Sequence, residues 1–138
     1  MKIAHVITDL DIGGAEMMLY KLLTLPHNDV SNFLVISLMG RGRIADRIEA
    51  LGVKVKMLDL EQGQRPSWKT IKKLRLFIRA FNPDIVQGWM YHGNIAATIA
   101  VFLSDPMHRN VKLLWNIRQT LYSVNSEKVQ TRFLIKLG

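Results

Sequence analysis

The 138-residue sequence contains no cysteine. Disulfide bonds, thiolate metal sites and cysteine nucleophiles are therefore excluded, and this absence is consistent with a reducing compartment. The sequence also lacks a run of the roughly 18–20 apolar residues that a transmembrane helix needs, and its first residues lead into a strand pattern rather than a signal peptide. We therefore expect a cytoplasmic protein, and the length fits one domain spanning residues 1–138.

Acidic residues are missing between Glu61 and Asp84, where six of the eight excess positive charges lie. A surface of one charge sign attracts anionic lipid, nucleic acid or an acidic substrate. No aromatic platform surrounds these cations, which disfavours nucleic acid. Trp68 favours a membrane interface, although a solvated helix face is the ordinary alternative. The predicted membrane or acceptor surface comprises Arg65, Trp68, Lys69, Lys72 and Lys73.

Apolar runs with strand and helix periodicity alternate along the chain, which predicts a doubly wound, Rossmann-like parallel sheet with helices on both faces. The predicted strands are Lys2–Thr8, Phe33–Met39, Val53–Leu58, Ile85–Trp89 and Lys112–Ile117. The predicted helices are Ala15–Leu25, Ile44–Leu51, Trp68–Phe81 and Asn94–Leu103. A further helical pattern over Glu127–Leu137 ends at Gly138, so we expect the chain to be part of something longer.

Gly13 and Gly14 follow the first predicted strand and open the first helix. Glycines and free N–H groups at a helix start allow a phosphate to approach the backbone, although an ordinary strand-to-helix turn is the alternative. A third glycine and a ribose-binding acid are missing, which disfavours a dinucleotide cofactor, and we expect no cofactor. Asp9 and Asp11 flank the turn, and Asp11 more simply bonds nearby turn amides, so no metal site is predicted.

A second candidate site follows the fourth predicted strand, at the edge where open α/β sheets bind ligands. His92 is suited to hydrogen bonding or proton exchange with a substrate hydroxyl, and Asn94 lies beside it. Arg118 follows the fifth strand and is suited to a phosphate. Helix capping by His92 and a solvated strand end around Arg118 are the alternatives. His5, inside the first strand, is expected to be a buried core histidine.

Four segments together resemble the family 4 glycosyltransferases, which are retaining, nucleotide-sugar-dependent enzymes of the GT-B fold. The opening strand followed by Gly13-Gly-Ala-Glu16 looks like the start of these enzymes, and residues 43–55 are similar to their second helix and third strand. Pro83-Asp-Ile-Val and Tyr91-His-Gly-Asn94 resemble their fourth strand and its histidine-bearing turn, and Trp115-Asn-Ile-Arg118 resembles the end of their fifth strand. The likeness extends over nearly the whole chain.

The resemblance implies the N-terminal, acceptor-side half of such an enzyme, in bacterial cell-surface polysaccharide or glycolipid synthesis. Gly13 and Gly14 inherit the approach to the diphosphate of a nucleotide-sugar donor, and His92 inherits a place near the transferred sugar. The acceptor would be a glycan or lipid-linked molecule. The family's donor-binding second domain is not in this sequence, so we expect no turnover from this chain alone. A non-catalytic membrane-surface or protein-binding module, and a phosphate-binding Rossmann protein of another class, are the alternatives.

Overall fold

The computed structural model describes residues 1–26, 29–61, 63–104 and 111–116. Within these residues, strands and helices alternate as the sequence predicts. The elements are β1 (Ile3–Ile7), α1 (Gly14–Leu23), β2 (Phe33–Ser37), α2 (Gly42–Ala50), β3 (Lys54–Met57), α3 (Trp68–Phe81), β4 (Ile85–Trp89), α4 (Met90–Ser104) and β5 (Lys112–Asn116). A short 3-10 helix, Val30–Asn32, precedes β2 and was not predicted. The helix predicted over Glu127–Leu137 lies outside the described residues.

The strands form a parallel sheet in the order β3-β2-β1-β4-β5. From β1 the chain first adds β2 and β3 on one side, and later adds β4 and β5 on the other. The order therefore reverses between β1 and β4, and the carboxyl ends of these two strands border the crevice where such sheets bind ligands. The predicted α/β fold with a Rossmann-like, doubly wound parallel sheet is confirmed.

Helices cover both faces of the sheet because every second strand residue points to the opposite face and most of these residues are apolar. On one face α1 and α2 pack against Ile7, Val35 and Val55. On the other face α3 and α4 pack against side chains such as Val6 and Ile36. The buried strand pattern on both faces is what a fully covered parallel sheet requires.

Local end signals for two helices agree with the structure. Gly52 has a φ of +96° just after α2 and its N–H donates to the carbonyl of Glu49 at 2.9 Å. Asn82 has a φ of +52° and caps α3 by donating to the carbonyl of Ile78 at 2.9 Å. Both residues provide the left-handed conformation that ends a helix and turns the chain toward the next strand.

The predicted start of α4 at Asn94 is wrong, because the helix begins at Met90, directly after β4. Met90 has a φ of +64°, so a single left-handed residue turns the strand into the helix without a loop. Gly93 allows this close packing, because a methyl group there would lie 2.7 Å from the carbonyl oxygen of Val6. His92 therefore lies in the first turn of α4 and not in a loop before it.

A buried hydrogen bond joins the two strands beside the switch point. The indole Nε1 of Trp89 in β4 donates to Nδ1 of His5 in β1 at 3.0 Å, and His5 also stacks on Phe33. The His5 side chain is fully buried, and burial lowers its pKa to about 4. The prediction that His5 is a core residue is confirmed, but only Nδ1 has a hydrogen-bond partner among the described residues.

Candidate functional site

A cleft of about 890 Å³ lies at the carboxyl edge of the sheet, between α3 and α4. The chain after β1, the chain after β2 and the connection between β3 and α3 complete its walls. Its size falls within the range of small-molecule sites, and its place beside the switch point is the one expected for a ligand site in this fold. The cleft is therefore the candidate site in the described part of the chain.

The inner surface of the cleft is apolar and is called the aliphatic wall below. Three of its members, Leu38, Leu58 and Leu74, are almost fully buried, whereas Ile99 on α4 is 37% exposed. The wall comprises Leu38, Leu58, Leu60, Ile71, Leu74, Ile95, Ala96 and Ile99. It draws on four elements and connections, which is why no single segment of the sequence indicates it.

Polar side chains surround the entrance and are called the polar rim. His92 reaches the rim from the first turn of α4, and Arg65 reaches it from the connection before α3. Asp9 follows β1 on the same edge, and the hydroxyl Oγ1 of Thr8 beside it is buried with no hydrogen-bond partner in the part of the chain that the structure describes. The rim comprises Asp9, Asp11, Arg41, Glu61, Gln64, Arg65 and His92. The structure thus brings two predicted site residues, His92 and Arg65, to one cleft.

Arg41 lies in the rim and was missed by the sequence reasoning. Its guanidinium donates to the carboxylates of Glu49 and Asp46 on α2, at 2.8 Å from Nη1 and 2.9 Å from Nε respectively. These hydrogen bonds, the one to Glu49 first, raise the pKa of Arg41 above its usual range, so the guanidinium stays charged. Its position after a strand end, at Gly40-Arg41, is the signal that could have identified it, but its charge is already compensated within α2.

The predicted phosphate turn has a different environment from the one expected. α1 begins at Gly14 with Gly13 as its extended N-cap residue, and neither glycine lines the cleft. The carboxyl group of Glu16 folds back against Gly13, so that a methyl group at Gly13 would collide with it. Burial raises the pKa of Glu16, the adjacent carboxylate of Asp9 raises it further, and its own backbone N–H opposes this rise. A phosphate at this turn would therefore have to displace a carboxyl group of the chain itself.

Asp9 and Asp11 hold the loop between β1 and α1. Oδ1 of Asp9 accepts a hydrogen bond from the N–H of Asp11, and Oδ1 of Asp11 accepts one from the N–H of Ile12, both at 3.0 Å. Nε of Arg43 lies 3.4 Å from Oδ1 of Asp11. The predicted bonding of turn amides by Asp11 is confirmed. In the part of the chain described here, no three His, Asp or Glu residues form a group able to hold a metal ion.

Asn94 lies at the start of the second turn of α4 and does not line the cleft. It is buried against Gly88 of β4, where a methyl group would lie 2.6 Å from Oδ1 of Asn94. That oxygen has no hydrogen-bond partner among the described residues. The position favours packing of α4 on β4 over direct contact with a ligand. Arg118, the other predicted ligand contact on this edge, lies outside the described residues.

The outer face of α3 carries the predicted membrane or acceptor surface. Trp68 is 63% exposed and Leu76 66% exposed, and Nζ of Lys72 lies 6.0 Å from the centroid of the Trp68 ring. The surrounding cations, Lys69, Lys72, Lys73, Arg75 and Arg79, are all exposed. These side chains do not line the cleft, so of this predicted surface the structure brings only Arg65 to the rim. Among the described helices, none is long and apolar enough to cross a membrane.

Neither a protein-family model nor a curated protein sequence matches this chain. The functional argument below therefore depends on the sheet topology, the cleft and the residues that line it.

Proposed function

We propose that the chain is the acceptor-side domain of a glycosyltransferase that moves a sugar from a nucleotide-diphosphate donor to a hydroxyl group. The observation that carries this proposal is the convergence of His92, Asp9 and Arg65 on one cleft beside the switch point. The three residues come from different elements, and each can bind a polyhydroxylated ligand: the imidazole and carboxylate bond hydroxyl groups, and the guanidinium also bonds phosphate.

The reaction defines the groups that the cleft must accommodate. The acceptor oxygen forms a bond to the anomeric carbon of the donor sugar, the bond from that carbon to the diphosphate oxygen breaks, and the diphosphate leaves with the electron pair. The proton of the acceptor hydroxyl passes to the departing diphosphate, whose oxygen carries the developing negative charge. In this proposal His92 bonds and orients a hydroxyl of the donor sugar, Asp9 bonds the acceptor, and Arg65 lies where it can meet either substrate.

The proposal is tested by titrating the ¹⁵N-labelled chain with UDP-glucose and GDP-mannose and following its backbone amides. We expect weak, saturable binding, with a dissociation constant of about 1 mM or higher and shifts at His92 and at the ends of β1 and β4. His92→Ala should weaken binding at least fivefold. Lys21→Gln, at an exposed position of α1, should leave binding unchanged. Shifts that avoid the cleft for both nucleotide sugars would contradict the proposal.

A second candidate function, a membrane-surface module, is favoured by a separate observation. Exposed Trp68 and Leu76 lie among cations on α3, a combination suited to the interface of an anionic bilayer. Three charges are removed in each of two matched variants, one with Gln at Lys69, Lys72 and Lys73 and one with Gln at Lys21, Arg47 and Lys54. Each cation near such a surface contributes about 1 kcal/mol, so only the first variant should lose roughly 100-fold in affinity for phosphatidylglycerol vesicles. Equal losses would assign the attraction to net charge.

A further inference from the structure

The aliphatic wall has no role in binding a sugar or a phosphate alone. Its accessible members, Leu60, Ile71, Ile95 and Ile99, line one continuous side of the cleft between α3 and α4. Sugars and phosphates offer these side chains little apolar surface. A ligand that fills the cleft therefore has a hydrocarbon or aromatic part that removes this wall from water.

The polar groups lie together at the strand edge of the same cleft. The buried hydroxyl of Thr8 has no partner among the described residues, and such groups in folded proteins are normally satisfied by protein, water or ligand. Asp9 follows Thr8 directly, and His92 lies in α4, the helix that follows the neighbouring strand β4. The ligand's polar end therefore meets hydroxyl, carboxylate and imidazole groups, all of which bond sugar hydroxyls.

The charges of the rim favour an uncharged polar end over a phosphate. Asp9 and Glu61 contribute two carboxylates, and a third, that of Asp11, is paired with Arg43. The guanidinium of Arg41 is already bonded to Asp46 and Glu49, so Arg65 is the cation of the rim that no described carboxylate compensates. A phosphate group placed there would meet more negative than uncompensated positive charge.

We infer that the acceptor of the proposed transfer is an amphiphile with an uncharged, hydroxylated head and an apolar tail, as in a neutral glycolipid. The head binds at Thr8 and Asp9, beside the donor sugar that His92 orients, and the tail lies along the aliphatic wall. This inference rests on the proposed function for the identity of the acceptor, but the binding it describes can be measured without transfer.

The experiment titrates the ¹⁵N-labelled chain with hexyl, heptyl and octyl β-D-glucopyranoside, each below its critical micelle concentration, and with glucose and octyl phosphate. A fully buried methylene contributes about fourfold in affinity, and somewhat less in an open groove. We therefore expect affinity to rise with chain length, glucose to bind at least tenfold more weakly than octyl glucoside, and octyl phosphate to bind more weakly than octyl glucoside.

Two variants test the location of the tail. Ile99→Gln places an amide in the wall and should weaken octyl glucoside at least fivefold without changing the weak binding of glucose. Met18→Gln is the matched control, because Met18 is 40% exposed on a helix of the opposite sheet face and Ile99 is 37% exposed. It should leave octyl glucoside binding unchanged. Thermal unfolding of both variants verifies that they are folded.

Three results would overturn the inference. Equal affinity for glucose and octyl glucoside would show that the tail is not bound, and equal or tighter binding of octyl phosphate would show that the head is not selected for neutrality. Equal losses in both variants, or self-association that covers the cleft, would assign the effect to general detergent binding or to a second copy of the chain. If the chain binds octyl glucoside but neither nucleotide sugar, that result would instead contradict only the proposed function.

Discussion

Two strand-to-helix turns border the switch point, and they differ in what they offer a ligand. The turn from β1 to α1 has the glycines of a phosphate site, but the carboxyl group of Glu16 lies against Gly13 and neither glycine reaches the cleft. The turn from β4 to α4 has no loop at all, yet it places His92 in the rim. The residue pattern alone favours the first turn as the binding element, whereas the geometry favours the second.

The difference shows that glycine can serve two purposes in turns of this kind. At Gly13 the missing side chain makes room for a carboxyl group of the same helix. At Gly93 it lets α4 lie against the backbone of β1. Only the neighbours of each glycine distinguish these uses, and the following predictions are ordered from the largest expected effect to the smallest.

The strongest contrast between the turns is expected from alanine at Gly93 and at Gly14. Gly93→Ala would place a methyl group 2.7 Å from the carbonyl oxygen of Val6, and should destabilise the fold by about 3 kcal/mol, because backbone on both sides must move. A methyl group at Gly14 meets nothing within 4 Å, so Gly14→Ala should be neutral or stabilising by up to about 1 kcal/mol. Urea unfolding measures both, and similar losses would refute the contrast.

Acid should weaken the bond between the two strands from which the turns arise. His5 has a pKa of about 4 in the fold and 6.5 as its ordinary value, so between these pH values the unfolded chain binds a proton that the folded chain does not. The contribution of the neutral His5 to the free energy of unfolding is therefore complete above about pH 6.5. It is lost progressively as pH falls toward 4, by about 3 kcal/mol in total.

The control for His5 is His5→Gln, which retains an acceptor for the indole N–H of Trp89 but does not titrate. The free energy of unfolding, measured in urea from pH 7 to 4, should fall less steeply in this variant. Parallel curves for the two proteins would contradict the burial of a neutral imidazole.

Replacing Glu16 with Gln should make the first turn more similar to a phosphate site. The pKa of Glu16 is raised from its ordinary 4.5, so the stability associated with its protonated form is present at low pH and is lost as pH rises through the folded pKa. Glu16→Gln removes that loss, so its stability relative to the original chain should improve as the pH rises through the range in which Glu16 ionises.

The same variant removes a negative charge from the start of α1, so added inorganic phosphate should stabilise it more than the original chain. Urea unfolding with and without phosphate at one ionic strength makes the comparison. An equal response to phosphate would mean that Glu16 does not control access to the turn.

The smallest effect is expected at Met90, the left-handed residue between β4 and α4. Met90→Gly relieves a backbone conformation that costs a side-chain-bearing residue roughly 1–2 kcal/mol, but it also increases the entropy of the unfolded chain. Because Met90 is 46% exposed, little packing is lost, and a net gain of about 0.5 kcal/mol is expected. A clear loss of stability would indicate that the methionine side chain supports the turn.

The order of the elements was predictable because each carries a local signal. Alternating apolar runs specified the strands, and Gly52 and Asn82 specified the ends of α2 and α3. The start of α4 was not predictable in this way, because residues 90–93 contain both a left-handed methionine and a helical glycine. The reason for that glycine, the carbonyl of Val6, lies more than 80 residues away.

The candidate site was predictable only in part. His92 and Arg65 follow from strand ends and charge pattern, and the structure brings both to the cleft. The aliphatic wall could not be anticipated, because Leu58, Ile71 and Ile99 lie in separate segments and each resembles an ordinary core residue. The displacement of Asn94 from the cleft has the same origin, since its burial depends on the small residue at Gly88 of the adjacent strand.

The direct passage from β4 into α4 also limits how the cleft can move. α4 is joined to β4 without a spacer and packs on the backbone of β1 through Gly93. It cannot move away from the sheet without breaking that contact. His92 is therefore carried by the rigid side of the cleft. Any closure around a ligand has to come from the opposite side, where ten residues between Met57 and Trp68 connect β3 to α3 and residues 63–67 are exposed.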